Sequence, residues 1–412
     1  MASEEIVPSG SLDLSNDKSR QSIKPLFIKE RLIKTKSRGI DRIGDLPKLV
    51  ENDCMSNFEL NQRNQRMDIT DESIIVYDYL WAPDGYTIYQ SKKSTNSKKA
   101  KTSSQLYNLL RTETIKRLQW IGQNGPLNHF ENKSGYVSKT TRYEHSVGCM
   151  ILILKIGGTV KNAIAALLHD IMHTAFSHAF DFISGHSNSI SYHEMEKDTL
   201  LNQFEDELNN KKTLKKKWKK FLNETKWPLI KRNNPFAIDI CDYIVRDCVE
   251  FGLVDLSNAR TMIDHLMICD DQLVCRTIES SNWWKELSIK VDTEIYMSGW
   301  NIAMNHYLAQ GLNQIVNDGL LQLDDLKFAR DPSIELNAIN LIKRNKYGEI
   351  LQSIANMNII FRERNQPLEQ NMNLIGTFEI RNRIVNPPVY GVEYEVTPST
   401  SRKQMQVVFV SI

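Results

Sequence analysis

The chain has 412 residues, enough to bury a large core in one extended domain or two associated ones. Its 52 basic and 50 acidic residues leave a net charge of +2, which by itself argues for neither a nucleic-acid nor a membrane partner. The longest apolar run is the short one from Met150 to Ile156, the opening Met-Ala-Ser-Glu-Glu lacks the layout of a signal peptide, and six cysteines without a CxxC pair suit buried thiols; together these predict an intracellular protein that does not enter a membrane.

Residues 1–24 are polar, with too few large apolar side chains to offset the entropy of ordering, and are expected to form a disordered arm, followed by an extension over 25–72. Ser73–Leu80 (SIIVYDYL) is β-branched and aromatic; the pair Asp84-Gly85 and the run Tyr86–Tyr89 then complete the signature of a small hairpin. Gln90–Ser104 is a Lys/Ser/Thr tract that reads as a solvated loop, because it has no interleaved aromatics for stacking on bases.

From Leu106 the apolar residues recur at helical spacing through Leu109, Ile115, Leu118 and Ile121, and the pattern persists to about residue 360, so the fold class is mainly α. A second basic cluster, Lys211–Lys220, reads as an exposed helix face, with Trp218 leaving a nucleic-acid or partner surface open. Three strand-like runs close the chain, Gly376–Ile384, Val389–Val396 and Gln404–Ile412, predicting a small β element within a C-terminal α/β part (331–412) packed on the core.

His145, His169, His173, His178, His186 and His193 are six of only nine histidines and fall within one short stretch. In Val160–Ile183 (VKNAIAALLHDIMHTAFSHAFDFI) an apolar helix face through Ile164, Leu167, Leu168 and Ile171 runs into the His169-Asp170 pair; His173 lies four residues beyond His169 and three beyond Asp170, so the helix end presents imidazoles and a carboxylate together. Such a cluster beside an apolar run requires paired charges or a metal, and metal ligation is preferred over a structural hydrogen-bond network. His145, in TRYEHSVG, and an acid from FAIDICDYIVRDCVEFG extend the set. On the latter helix Asp239, Tyr243 and Arg246 make one polar stripe on an apolar cylinder, with an internal Asp239–Arg246 ion pair as the bland alternative.

Written out, His145, then His169-Asp170, then Asp239 resembles the H…HD…D signature of HD-domain phosphohydrolases. Five blocks in order, KRLQWIGQNG at 116–125, TRYEHSVG at 141–148, HDIMHTAFSH at 169–178, YHE at 192–194 and DICDYIVRD at 239–247, resemble the deoxynucleoside triphosphate triphosphohydrolase branch over roughly residues 73–320. The resemblance implies a helical HD-domain bundle over 73–330. It also implies that His145, His169, Asp170 and Asp239 ligate one divalent ion, and that His173, His178, Asp181 and His193 form a catalytic group beside it. Gln123, Arg142, Tyr243 and Asp247 match positions near the nucleotide, and the branch implies a homo-oligomer.

Two imidazoles with two carboxylates suit Fe, Mn, Zn or Ni better than Mg, although a nucleotide substrate would bring Mg of its own. They leave coordination positions open for a water that attacks phosphorus. His178 is the expected acid for the leaving oxygen, with Asp181 one turn later to hold its tautomer, and His186 reads as a loop histidine. Two departures bear on substrate. Ile240 follows Asp239 where the branch carries a basic residue, and Val291–Leu326 contains no Lys or Arg, so either Arg142, Arg246 or Lys116 supplies the charge or the substrate has fewer phosphates. The second departure is Met172, where many relatives have Gly. The leading expectation is hydrolysis of a nucleotide phosphoester, including a deoxynucleoside triphosphate; the alternatives are a non-catalytic nucleotide or nucleic-acid binding module and a phosphodiesterase or nuclease.

Overall fold

The computed structural model describes residues 67–90, 98–183, 192, 196–209, 214, 218–223, 226–230, 236–363, 366–381, 385–392 and 402–410. The expected arm and most of the extension, His186, His193, residues 91–97 and most of the second Lys-rich tract lie outside the described residues; the rest of the first tract, 98–104, begins a helix (Lys98–Leu109) instead of continuing the expected loop, and Trp218 of the second is buried, with Nε1 donating to Asn209 Oδ1 at 3.0 Å, which removes it as a stacking surface. Among the described residues no helix is long and apolar enough to cross a membrane.

The body is mainly α, as the periodicity predicts, with small antiparallel sheets toward either end. The first sheet, β1 (Met67–Ile69), β2 (Ser73–Asp78) and β3 (Ala82–Tyr89), has one strand more than the expected hairpin. Its turn also falls elsewhere. Asp78 accepts the backbone N–H groups of Leu80 and Trp81 at 3.0 and 2.7 Å and so reverses the chain at 79–81. Asp84-Gly85 instead forms a bulge inside β3, where Gly85 takes φ +89° and a Cβ would stand 2.6 Å from Ile75 Cγ2. The positive φ that the Asp-Gly pair signals serves a bulge as well as a turn.

Between helix α1 (Lys98–Leu109) and α2 (Arg142–Lys155), residues 110–141 form short helical turns at Glu113–Lys116, Arg117–Trp120 and Gly125–Asn128; the start of α2 is fixed by a capping box in which Thr141 Oγ1 accepts from Glu144 N and Glu144 Oε2 accepts from Thr141 N at 2.8 Å. Then come α3 (Val160–Leu168), capped by Thr159, the short α4 (Ala179–Ile183), and α5 (Ile238–Glu250). Helix α2 packs between α3 and α5, with Ile151, Ile153, Ile164 and Leu167 in the core, so its polar residues face a crevice shared by the ends of its neighbours.

The helical pattern is interrupted by a hairpin absent from the sequence expectations, β4 (Leu266–Cys269) and β5 (Gln272–Cys275), turned by Asp270 and Asp271 at φ 49° and 59°. Two short aspartates tolerate that conformation, which makes the tight turn possible without glycine. Beyond it lie α6 (Ile278–Val291), a π-helical turn at Asp292–Tyr296, α7 (Gly299–Asn317) and α8 (Ile334–Ile342), which packs on α7. The C-terminal sheet is ordered β6 (Ile359–Glu363), β8 (Arg402–Val410), β7 (Met372–Arg381). The third strand is therefore β6; of the expected strand at 389–396, Val389 makes only an isolated bridge to Cys275, and 393–396 lie outside the described residues.

Candidate metal centre

Three elements bring the four expected ligands together. His145 leaves the second turn of α2, Asp239 the first turn of α5, and His169 caps the C-terminus of α3 with Asp170 following it. His145 Nε2 lies 3.2 Å from His169 Nε2, 3.1 Å from Asp239 Oδ1 and 3.7 Å from Asp170 Oδ2. His169 Nε2 lies 3.4 Å from Asp170 Oδ1 and 3.5 Å from Asp239 Oδ1. A cation about 2.1 Å from each donor sets donor–donor separations of about 3.0–3.4 Å, so His145 Nε2, His169 Nε2 and Asp239 Oδ1, 3.1–3.5 Å apart, stand close to the edges of one coordination shell, with the Asp170 carboxylate beside both imidazoles.

The tautomers make the same point. His169 Nδ1 is 2.6 Å from the Ala166 carbonyl oxygen, which only accepts, and His145 Nδ1 is 2.8 Å from Asp242 Oδ2. Asp242 is ionised: burial opposes the charge, but Arg246 and His145 hold its pKa down to about 2. Both Nδ1 atoms therefore carry protons, and in the neutral rings two Nε2 lone pairs face each other, an arrangement that repels unless positive charge sits between them. Burial alone would lower the pKa of His145, yet Cys149, Asp239 and Asp242 around it hold it well above the ordinary range. His169 is raised likewise against burial by Asp170 and Asp239. Asp170 and Asp239 are held far down despite burial, Asp170 by His169, His173 and Arg142, and Asp239 by the two ligand histidines. The pocket is built for added positive charge, and its donor set fits one divalent cation.

Beside this set, His173 Nε2 is 3.3 Å from Asp170 Oδ1; burial and Arg142 push its pKa well below the usual histidine range, so the ring is neutral. The expected continuous helix does not carry it, since α3 ends at Leu168 and His173 N bonds Asp170 O across a turn. His178 pairs through Nδ1 with Asp181 Oδ2 at 3.1 Å and keeps 46% of its side chain exposed, while Asp181 Oδ1 accepts from Tyr192 N at 2.7 Å. His193 lies outside the described residues.

The expected substrate positions are mixed. Arg142 is buried and committed, Nη1 to Asp170 Oδ2 at 2.7 Å and Nε to Ser177 Oγ at 2.9 Å. Lys116 pairs with Glu113, and Arg246 with Asp242 and Asp78, so the proposed Asp239–Arg246 pair gives way to a deeper network. Tyr243 lies 6.4 Å from the His145 ring and 6.0 Å from that of Tyr296. Asp247 is buried, accepts from Asn124 Nδ2 at 3.1 Å and from the Tyr296 hydroxyl, and is pushed up to about 7 by burial. Gln123, preceding Asn124, has its Oε1 buried with no hydrogen-bond partner. Met172 lines a small apolar pocket with His169, Phe221, Leu222 and Trp227.

Sequence reasoning missed the support around these residues. Asp242, three residues after Asp239, is the one with a local signal, an acid on the apolar side of an amphipathic helix. Ser177 and Asn124 sit inside the quoted blocks beside His178 and Gln123 but were not singled out, while Trp81, Asp78, Tyr296 and Glu335 carry no local signal, since each reaches the site from far along the chain. Glu335 is buried on α8 and accepts from Phe176 N at 2.6 Å, Gly122 N at 3.2 Å and His129 Nε2 at 2.9 Å. It thereby clamps Phe176 and Ser177, two consecutive left-handed residues at φ 60° and 50°, from which His178 departs.

Residues 142–243 match the model of the HD domain, the class that this helical frame and its His/Asp ligand set define. The chain is 28% identical over 255 residues to the uncharacterised protein YdhJ of Bacillus subtilis, a span of 61% of this chain and 75% of that one. It is also 28% identical over 243 residues to a Cordyceps militaris protein named as a metal-dependent phosphohydrolase, covering 54% and 67% of the two chains. The fold is similar to that of a phosphohydrolase from Bacteroides thetaiotaomicron, with TM-score 0.55 at 15% identity over 83% of this chain and 100% of the other. A hypothetical protein from Aquifex aeolicus gives TM-score 0.50 at 15% identity, over 82% and 96%.

Proposed function

We propose that this chain is a divalent-metal-dependent HD phosphohydrolase acting on a nucleotide phosphoester. The observation that supports the reading is that the Asp170 and Asp239 carboxylates each approach both the His145 and His169 Nε2 atoms at 3.1–3.7 Å, with those two nitrogens 3.2 Å apart. A divalent cation bound there polarises a phosphoryl oxygen and makes a nearby water more acidic. The remaining roles belong to the chain. Asp181 accepts Nδ1–H of His178, and in the doubly protonated ring Nε2–H would deliver its proton to the departing oxygen, leaving the neutral Nδ1–H tautomer. Arg142 orients Asp170, and neutral His173 lies on the other side of the same carboxylate.

The nucleotide part of the proposal rests on Gln123, Asn124, Tyr243, Tyr296 and Asp247. The unpartnered Gln123 Oε1 accepts a hydroxyl or amino donor, and Asp247, near half protonation at neutral pH, both donates and accepts. Because 291–326 holds no Lys or Arg, the phosphate count is left to experiment, and the same metal chemistry extends to diesters.

The test is to strip the protein of metal, reload it with Mn or Fe, and follow phosphate, pyrophosphate and triphosphate release from nucleoside mono-, di- and triphosphates. Turnover that disappears in His169→Ala and Asp170→Ala together with bound metal is the expected result. Stoichiometric metal without turnover of any nucleotide would overturn the enzymatic reading in favour of a binding module.

A further inference from the structure

Resting on the metal-centre reading above, we propose that Trp81 is a positioning residue for the metal: from the N-terminal sheet, outside the matched HD region, it holds Asp242 against His145 and so sets how tightly the cation is bound. The two ligand imidazoles are supported unequally. His169 donates its second N–H to a neutral backbone carbonyl, whereas His145 donates its own to the Asp242 carboxylate. A carboxylate partner fixes the ring and makes the facing nitrogen a stronger donor, so His145 is the ligand whose strength depends on its support.

That support is a closed ring of side chains. Asp242 Oδ1 accepts from Trp81 Nε1 at 2.5 Å and from Arg246 Nη2 at 2.8 Å, and Oδ2 accepts from His145 Nδ1 and from Arg246 Nε at 2.9 Å. Arg246 Nη2 also reaches Asp78 Oδ2 at 3.0 Å, and Asp78 Oδ1 takes the Trp81 backbone N–H, which returns the chain of bonds to its start. Trp81, Asp78, Asp242 and Arg246 are all buried. Gly148 on α2 leaves the space they need: a Cβ there would stand 2.1 Å from Arg246 Nη2 and 2.3 Å from Asp242 Oδ1. Arg246 holds both carboxylate oxygens from the same helix, α5; among the described residues the indole N–H is the one donor to Oδ1 that comes from outside that helix, and it holds the carboxylate in place against His145. Burial without a partner would suffice for a packing tryptophan, and Trp284 is an example, fully buried with its Nε1 unpaired.

The experiment titrates metal-free full-length protein with Mn alone, reading free Mn by electron paramagnetic resonance, for the wild type, Trp81→Phe and Trp284→Phe. Trp81→Phe is expected to bind Mn about 10-fold more weakly, and Trp284→Phe, which removes a similar buried ring away from the network, to bind as the wild type does. If Trp81→Phe does not fold, benzothienylalanine incorporated at position 81 replaces the indole N–H by sulfur at nearly unchanged shape, and the same weakening is expected. Wild-type affinity in a folded N–H-deficient variant overturns the proposal, as does equal weakening in Trp284→Phe. A wild type that takes up no Mn at all would instead sink the metal-centre reading, so the two failures are distinguishable.

Discussion

The wall of candidate ligands and the turn that carries His178 lie side by side but are held by opposite devices. His145 and Asp239 stand on capped or amphipathic helices packed against each other, and the groups that steady them, Asp242 and Arg246, are on one of the same helices. His178 instead follows two left-handed residues, Phe176 and Ser177, an energetically disfavoured pair for side chains with a Cβ, kept in place by Glu335 from beyond the HD match. Ser177 then donates to Gly122 O at 2.6 Å and accepts from Arg142, so the turn and the ligand wall meet at one hydroxyl. The two histidines differ in exposure to match: His145 is buried in the rigid wall, whereas His178 keeps 46% of its side chain exposed.

The largest effect is expected at the wall. Arg246→Met leaves Asp78 and Asp242 buried without their counter-charge, and urea unfolding should show a loss of roughly 3–5 kcal/mol, since removing one member of a buried ionic network exposes the full desolvation cost of the rest. A smaller and differently shaped effect is expected at the turn. Glu335→Gln loses part of the clamp on Phe176 N and Gly122 N, costing about 1–3 kcal/mol, and kcat should fall while metal content by elemental analysis stays at the wild-type level. Loss of metal in Glu335→Gln would erase the distinction between the two regions.

A third effect appears as a pH dependence at the Asp247 side and is spread over the range from about pH 4 to about 7. Burial raises the Asp247 carboxyl from an ordinary 3.8 to about 7, so the folded state holds its proton where the unfolded state does not. The stability this proton contributes is complete below pH about 4 and is lost as pH rises through about 7. Asp247→Asn, neutral at every pH, should flatten that part of the stability curve measured by chemical denaturation from pH 4 to 8; an unchanged slope would assign the ionised carboxylate to the fold.

The mainly helical frame was legible in the sequence, and so was the set of His and Asp residues that the structure brings together as candidate ligands. Ligation demands His and Asp, and HD adjacency at the end of an apolar run is a local pattern. Asp84-Gly85 shows the limit of local signals, because a positive φ is as useful to a bulge as to a turn. The Asp270-Asp271 hairpin passed unnoticed because two aspartates between short apolar runs also suit a helix break. Arg246 looked like a partner for Asp239 on helical spacing, but the rotation of α5 against the N-terminal sheet gives it Asp78 and Asp242 instead.

By itself the sequence determined which side chains could bind a cation and in what order along the chain they come, since that chemistry is restricted to a few residue types. Only the tertiary structure decided what steadies them: Trp81 lies 161 residues from Asp242, and Glu335 lies 159 from Phe176. Hydrogen bonds across such separations depend on how helices and sheets pack, and a tryptophan or glutamate that makes one is indistinguishable in sequence from one that only fills space or faces water.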